Sequence, residues 1–293
     1  MRIAFLGLPL AALALFADGH EVEVAFISRR DGVGLRRLRK RVGASRVHMK
    51  GEQSDVEIES ELASLAPDLL VSWFWTGKIP GAWVRTARLG GVGAHPSLLP
   101  RHRGPDPYFA AIDAGDPETG VTVHRIDAEY DTGPILLQRS LCIDPRWNAW
   151  QLARELDRPS LATLREVVSR LASGDAPAEQ IQDERLATWA ETPKGDDCAL
   201  VWSHSTDRLL RRIRALAPAP GAFTEIGDEV VTILLARAAR RFPRALVAGE
   251  AAVVGGTVVV RTGDGAVELE RVELDDGTVL NETEIAAWVE RTA

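Results

Sequence analysis

Strand and helix signals alternate through the first 145 residues of this 293-residue chain, and that alternation limits the fold more than any other feature. Apolar runs read as strands near residues 2–7, 21–28, 68–74, 90–94, 120–126 and 135–143, with a weaker one near 46–49. Helical stretches lie between them near 10–17, 56–65, 80–88 and 107–114. Parallel neighbours need a long crossover and a helix supplies it, so the pattern indicates βαβ units and a mostly parallel sheet. Met1-Arg2 and the apolar run to Ala17 have the outline of a short signal peptide. Gly7 and Pro9 interrupt that run and a second strand follows at once, so a buried strand, a turn and a helix are expected. No run reaches the roughly 18 apolar residues that a membrane helix needs.

The second half changes character. Trp147, Trp150, Leu152, Leu156, Leu161, Leu164, Val167, Val168 and Leu171 recur at helical spacing, in a helix that Pro159 is expected to kink or split. Residues 173–200, rich in Gly, Pro, Asp and Ala, read as a linker. A basic helix at 206–216 precedes short β-rich runs separated by Gly255-Gly256, Gly263-Asp264-Gly265 and Asp276-Gly277, the pattern of a small antiparallel barrel. The expected division is residues 1–172 as an α/β catalytic domain, 173–204 as linker and 205–293 as a small β-barrel domain.

Only two cysteines are present, Cys142 and Cys198, and neither lies in a CxxC pair, so neither a disulfide framework nor a zinc or other metal centre is expected. A reducing, cytoplasmic setting fits that usage. The net charge of −7 is uneven: residues 29–41 carry seven basic side chains and one acid, while residues 245–293 carry three Arg and ten acids. Basic stretches in an acidic chain can meet a polyanion or can be solvated faces, and both readings stay open. Gly7-Leu8-Pro9-Leu10-Ala11 is not GxGxxG, and its Pro and Leu crowd the place where a pyrophosphate needs backbone approach, so a nicotinamide cofactor is not expected.

Two segments carry the chemistry. His95 ends a strand and opens His95-Pro96-Ser97-Leu98-Leu99-Pro100-Arg101-His102-Arg103-Gly104. Asp131 lies in Asp131-Thr132-Gly133-Pro134-Ile135 between the last two strands. Alone, a strand-end His is commonly structural and an Asp before Thr-Gly a turn former. Side by side they form an acid–base pair, and both loops fall at one sheet edge.

With its preceding residues, the stretch Gly91-Val92-Gly93-Ala94-His95-Pro96-Ser97-Leu98-Leu99-Pro100-Arg101-His102-Arg103-Gly104 resembles the signature of the formyltetrahydrofolate-dependent formyltransferases. So does Gly120-Val121-Thr122-Val123-His124-Arg125-Ile126-Asp127, continuing into the Asp131 turn. Residues 214–224 resemble the start of the C-terminal domain of the methionyl-tRNA branch. The resemblance covers most of the chain and implies a Rossmann-like mostly parallel sheet (the formyltransferase fold) with an OB-like barrel. It implies transfer of a formyl group from 10-formyltetrahydrofolate to an amine, either methionyl-tRNA or a small or carrier-bound amine, by a cytoplasmic monomer with no membrane partner.

The family's catalytic set is Asn, His and Asp, with Asn two residues before His. Here His95 and Asp131 are present and Gly93 stands at the Asn position. That Asn donates to the formyl oxygen as it becomes an oxyanion, and losing such a donor costs about 10²–10³ in rate. A substitute donor from another loop, backbone or water, a divergent one-carbon reaction, a formyltetrahydrofolate hydrolase, and a non-catalytic folate- or RNA-binding paralogue all remain open. By resemblance the pterin lies along Ile126, Asp127, Ala128, Glu129 and Tyr130, with Trp83, Val84 and Leu89 as candidate walls, whose alternative is plain core packing. Ser97, Leu98, Leu99, Pro100 and Arg103 are expected at the acceptor. Arg36 and Arg37, in the basic loop after the second strand, and a track of Arg208, Arg211, Arg212, Arg214, Arg237, Arg240, Arg241 and Arg244 are its expected polyanion contacts. Trp73 and Trp75 share a strand face, by default in the core.

Overall fold

Residues 2–27 form a strand–helix–strand unit, β1 (Arg2–Gly7), α1 (Pro9–Ala17) and β2 (Glu21–Ile27), in a computed structural model that describes every residue except Asp228 and Ala293. Pro9 is the first helical residue, where its missing N–H costs nothing. The chain continues through α2 (Leu35–Val42), β3 (Val47–Met49), α3 (Asp55–Leu65), β4 (Leu69–Trp73), α4 (Gly81–Arg85) and β5 (Gly91–His95). Then come α5 (Pro107–Ala114), β6 (Glu118–Arg125), β7 (Ile135–Cys142) and the 25-residue α6 (Ala149–Ser173). A reciprocal cap between Ser54 and Glu57 starts α3. Helix α6 runs on through Pro159 without splitting; Thr163 Oγ1 donates to the Pro159 carbonyl one turn earlier, at 2.7 Å.

The sheet order is β3-β2-β1-β4-β5-β6-β7. The first five strands are parallel, and β6 and β7 are antiparallel to their neighbours. The mostly parallel sheet expected from the alternation is therefore present. Gly7 is where β1 passes β4 most closely: a Cβ there would lie 1.7 Å from the Trp73 carbonyl oxygen, and φ is +132°. One face of the sheet buries Ile3, Phe5, Ile27, Val71, Trp73 and Val92 with residues of α1 and α6. The other buries Ala4, Leu6, Val24, Phe26 and Leu70 with Ile58, Leu62 and Trp83 of α3 and α4.

The chain divides into two compact units. The first takes residues 1–107, 118–142 and 154–190; the second takes 108–117, 143–153 and 191–293. Residues 173–190, read from composition as linker, belong to the first. The second contains α7 (Thr206–Leu216), β8 (Ala222–Ile226), β9 (Glu229–Ala238), β10 (Ala251–Val254), β11 (Thr257–Arg261), β12 (Ala266–Leu274), β13 (Val279–Asn281) and α8 (Glu282–Thr292). Its antiparallel sheet has the order β10-β11-β12-β9-β8, with β13 also on β12. Leu209, Ile213, Ile285 and Trp288 from the two helices pack with Val231, Ile233, Val260 and Leu269 of the sheet. Among the described residues no helix is long and apolar enough to cross a membrane.

Candidate active site

Alternation along a strand puts Gly91, Gly93 and His95 on one face of β5. The β5–β6 register pairs Gly93 with His124 and His95 with Thr122, so those side chains share that face. The turn after β6 brings in Asp131. Its carboxylate lies between two imidazoles: Oδ2 is 3.4 Å from His95 Nδ1, and Oδ1 is 3.5 Å from His124 Nε2.

Each ring is tethered on its far side. His95 Nε2 donates to the His102 carbonyl at 2.7 Å, and His124 Nδ1 donates to the Arg125 carbonyl at 2.7 Å. With those nitrogens committed as donors, the nitrogens facing Asp131 can donate to it only when the ring carries a second proton. The Asp131 carboxylate and His95 can thus take up a proton and give it back. Burial pushes the His95 imidazole below its ordinary 6.5, with the Asp131 charge pulling the other way. For Asp131 burial opposes ionisation, but His95, His124 and the Gly104 N–H at 2.9 Å outweigh it and hold the carboxyl well below the usual carboxylate range. At neutral pH the resting pair is a carboxylate beside a neutral His95.

The backbone here is strained. Asp131 (φ 56°) and His102 (φ 57°) are both left-handed without being glycine, at a cost of about 1–3 kcal/mol each. A strap of residues 179–190 holds them. Gln182 Nε2 donates to the carbonyls of Asp131 (2.8 Å) and Gly133 (2.7 Å), while its Oε1 accepts from Arg103 Nε and Nη2 (3.1 and 2.8 Å). Glu184 takes the rest of the Arg103 guanidinium at 2.9 and 2.7 Å, and the His102 N–H donates to Thr188 Oγ1 at 2.8 Å. One amide side chain therefore ties the Asp131 turn to the His102–Gly104 loop.

Several expected site residues have other work. Arg103, Ser97 and Leu99, expected at the acceptor, are buried. Arg103 is occupied by Gln182 and Glu184, the Ser97 hydroxyl donates to the Arg101 carbonyl, and the Leu99 N–H donates to Thr122 Oγ1. They shape the loop; Leu98 and Pro100, half-buried, are the members left on its surface. Trp83 is 2% exposed, stacks with Phe26 and donates to the Asp55 carbonyl, all within the core. Val84 and Leu89 are half-buried, and the Leu89 carbonyl accepts from Arg125 Nη1. Ile126 packs over Gly91 and Gly93, Asp127 accepts from the Thr132 hydroxyl, and Ala128, Glu129 and Tyr130 are exposed.

Arg36 and Arg37 are exposed on α2, a helix where a loop was expected. Strand β2, which leads into α2, stands three strands from β5, roughly 14 Å across the sheet. Four of the eight arginines of the expected track are engaged within their own unit. Arg237 pairs with Glu268, Glu270 and Glu282, Arg211 with Asp207, and Arg212 with Asp113, while Arg214 donates to the Trp147 carbonyl. Arg208, Arg240, Arg241 and Arg244 are exposed. Trp73 and Trp75 do not share a face: the left-handed Phe74 (φ 57°) reverses the alternation, so Trp73 enters the α1/α6 core and Trp75 packs on the α3/α4 side.

Sequence reasoning assigned no role to His124, His102 or Gln182. The signal for His124 was its alternation with Thr122 and Ile126; for Gln182 there was none, since its partners lie 49 to 79 residues away.

Comparison with known proteins gives the family. A formyl transferase family model matches residues 12–168, and a formyl transferase C-terminal domain model matches residues 194–288. The methionyl-tRNA formyltransferase of Pseudomonas fluorescens strain SBW25 is 35% identical over 230 residues, 78% of this chain and 71% of that protein. That of Pseudomonas entomophila strain L48 is 32% identical over 294 residues, 96% of this chain and 93% of that protein. Among solved structures, HypX from Aquifex aeolicus in complex with tetrahydrofolic acid matches with a TM-score of 0.67 at 21% identity, over 99% of this chain and 47% of its own. An N-formyltransferase from Helicobacter canadensis, in complex with folinic acid and dTDP-3-aminofucose, matches with a TM-score of 0.68 at 13% identity, over 92% of this chain and 98% of its own. The two structures share the fold; the matched family models and the two curated relatives place this chain in the formyl transferase family.

Proposed function

We propose that this enzyme transfers the formyl group of 10-formyltetrahydrofolate to a primary amine. The observation that carries the reading is the Asp131 carboxylate set between His95 and His124 at the end of β5. The formyl donor is a substrate. Its pterin is assigned to Ile126–Tyr130, with Val84 and Leu89 beside it and Trp83 behind them in the core. This segment suits a flat polar ring because it offers exposed backbone next to the half-buried Ile126.

The amine nitrogen attacks the formyl carbon, a C–N bond forms, and the carbonyl pair moves onto oxygen. Asp131, directly or through water, takes the proton that the amine must lose, and His95 shares its charge through the 3.4 Å contact. Collapse re-forms C=O, breaks the bond to N10 and returns a proton to that nitrogen. Holding the two nitrogens on one carbon supplies much of the acceleration.

Methionyl-tRNA is the first acceptor to test, since the relatives above act on it by name, with exposed Arg36, Arg37, Arg208, Arg240, Arg241 and Arg244 as its contacts. A small amine is the second reading, favoured by the four track arginines already engaged within their own unit. Single-turnover mixing with 10-formyltetrahydrofolate, following tetrahydrofolate by absorbance, separates them. Release that requires methionyl-tRNA and is lost in His95→Ala supports the first. Release with small amines alone supports the second, and release with water alone identifies a hydrolase. Binding without release under every condition refutes the proposal. Sedimentation of the same preparation checks the expected monomer.

A further inference from the structure

Position 93 has no side chain, and what borders that gap is an imidazole. A Cβ built on Gly93 would lie 3.6 Å from His124 Nε2, with Ile126 Cγ1 and Cδ1 at 3.6 and 3.8 Å. His124 is the direct cross-strand partner of Gly93, so its ring crosses the face that a larger residue at 93 would use. The ring is held firmly: its side chain is 7% exposed, Nδ1 donates to the Arg125 carbonyl at 2.7 Å, and Nε2 stands 3.5 Å from Asp131 Oδ1. A ring fixed at both ends beside a carboxylate is pre-organised to present one N–H, which is what a developing oxyanion requires.

We infer that His124 is a second catalytic imidazole, whose Nε2–H donates to the formyl oxygen as that oxygen gains charge in the tetrahedral intermediate. The inference rests on the formyl-transfer reading. Since Nδ1 is already a donor to Arg125, an Nε2–H exists on the doubly protonated ring, and that ring brings a positive charge as well as a hydrogen bond. Asp131 Oδ1, 3.5 Å from Nε2, is the carboxylate that faces that charge. As the amine attacks, the carbonyl pair moves to oxygen, the oxygen accepts the Nε2–H bond, and the proton stays on His124. When the intermediate collapses the pair returns to C=O, and N10 leaves with the proton that Asp131 and His95 have carried. No net proton is exchanged with His124. Gly93 belongs to the same arrangement, because a side chain reaching past Cβ at 93 would contest the space with Nε2.

The test is a double-mutant cycle on the full chain, read by single-turnover release of tetrahydrofolate with whichever amine the wild type uses. His124→Ala is expected to lower the rate about 10²–10³-fold, the cost of one oxyanion donor, with the KM for the formyl donor within about threefold. Gly93→Asn is expected to lower the rate in the wild-type background and to raise it at least about tenfold in the His124→Ala background, where the vacated space lets a carboxamide donate instead. A role in merely positioning Asp131 would not reverse that sign, so failure of Gly93→Asn to restore activity overturns the inference. So does a His124→Ala rate within about threefold of wild type. If His124→Ala does not fold, His124→Gln keeps an N–H donor of similar reach; activity above one hundredth of wild type supports the inference and complete loss overturns it. Wild type that releases no tetrahydrofolate with any amine refutes the formyl-transfer reading itself, and the inference falls with it. Wild type that turns over while His124→Ala is unimpaired removes the inference alone.

Discussion

Gln182 is the residue whose loss should show most clearly how the site is held. It is 5% exposed and makes four hydrogen bonds, two donated to the Asp131 and Gly133 carbonyls and two accepted from Arg103. Gln182→Ala strands two buried carbonyls and two guanidinium N–H groups. Each stranded group costs about 1–3 kcal/mol. Arg103 retains Glu184, which recovers part of the loss, so a net destabilisation of about 2–4 kcal/mol is expected. At about 2–4 °C per kcal/mol for a unit of this size, the melting transition of the first unit should fall by roughly 4–16 °C.

Activity should fall further than stability alone explains. Asp131 keeps φ near 56° because its surroundings hold it there, and without Gln182 that strain can relax, drawing the carboxylate away from His95. At 25 °C, where the variant remains folded, kcat should drop at least about tenfold, since a 1 Å misplacement costs up to about 10²-fold. Gln182→Glu separates the two parts of the clamp. A carboxylate still receives Arg103 but has nothing to donate to the two carbonyls, so stability should partly return while kcat stays low. Calorimetric melting and single-turnover kinetics on both variants give the answer. A Gln182→Ala protein melting within 1 °C of wild type with kcat within about twofold would refute the clamp.

Three further outcomes are expected. His95 and Asp131 both have folded-state values below their ordinary ones, so in acid the unfolded chain binds more protons at both. Stability should hold above pH 6.5, decline below it as unfolded His95 protonates, and decline again below about pH 4 as unfolded Asp131 does; urea titrations across pH should show the first decline reduced in His95→Gln. Gly7→Ala forces a Cβ to 1.7 Å from the Trp73 carbonyl, so circular dichroism should find it unfolded or insoluble. Trp83→Phe removes the bond to the Asp55 carbonyl, for about 1–2 kcal/mol, and should leave the KM for the formyl donor unchanged within twofold; a large rise in KM would return Trp83 to the folate wall.

Much of the fold was readable because its signals are local. Strand periodicity and the break at Gly7 and Pro9 each depend on a few neighbouring residues, and the strand-end His and the turn Asp each stand in a short motif of their own. What the sequence left undecided is what distant chain decides. Arg103 reads as a free cation until Gln182 and Glu184 arrive from about 80 residues downstream. Ser97 reads as a polar loop residue until β6 covers it. Trp83 and Trp75 were ambiguous because an aromatic suits a wall and a core equally, and a single left-handed residue, Phe74, decided the side Trp75 faces. His124 lay inside a quoted motif yet carried no role, since its meaning depends on the strand opposite.

The strap at 179–190 also bears on how the site comes into being during synthesis. Strand β5 and the Asp131 turn leave the ribosome well before Gln182, at about 5–20 residues per second, and domains fold as units in N-to-C order. Until the strap emerges, its hydrogen bonds are not there to hold the Asp131 and His102 backbones in their left-handed conformation. A nascent chain ending at residue 172 therefore has its sheet and its catalytic side chains but lacks their clamp, and acid–base competence arrives in one late step, once Ala190 is free to dock against Arg103.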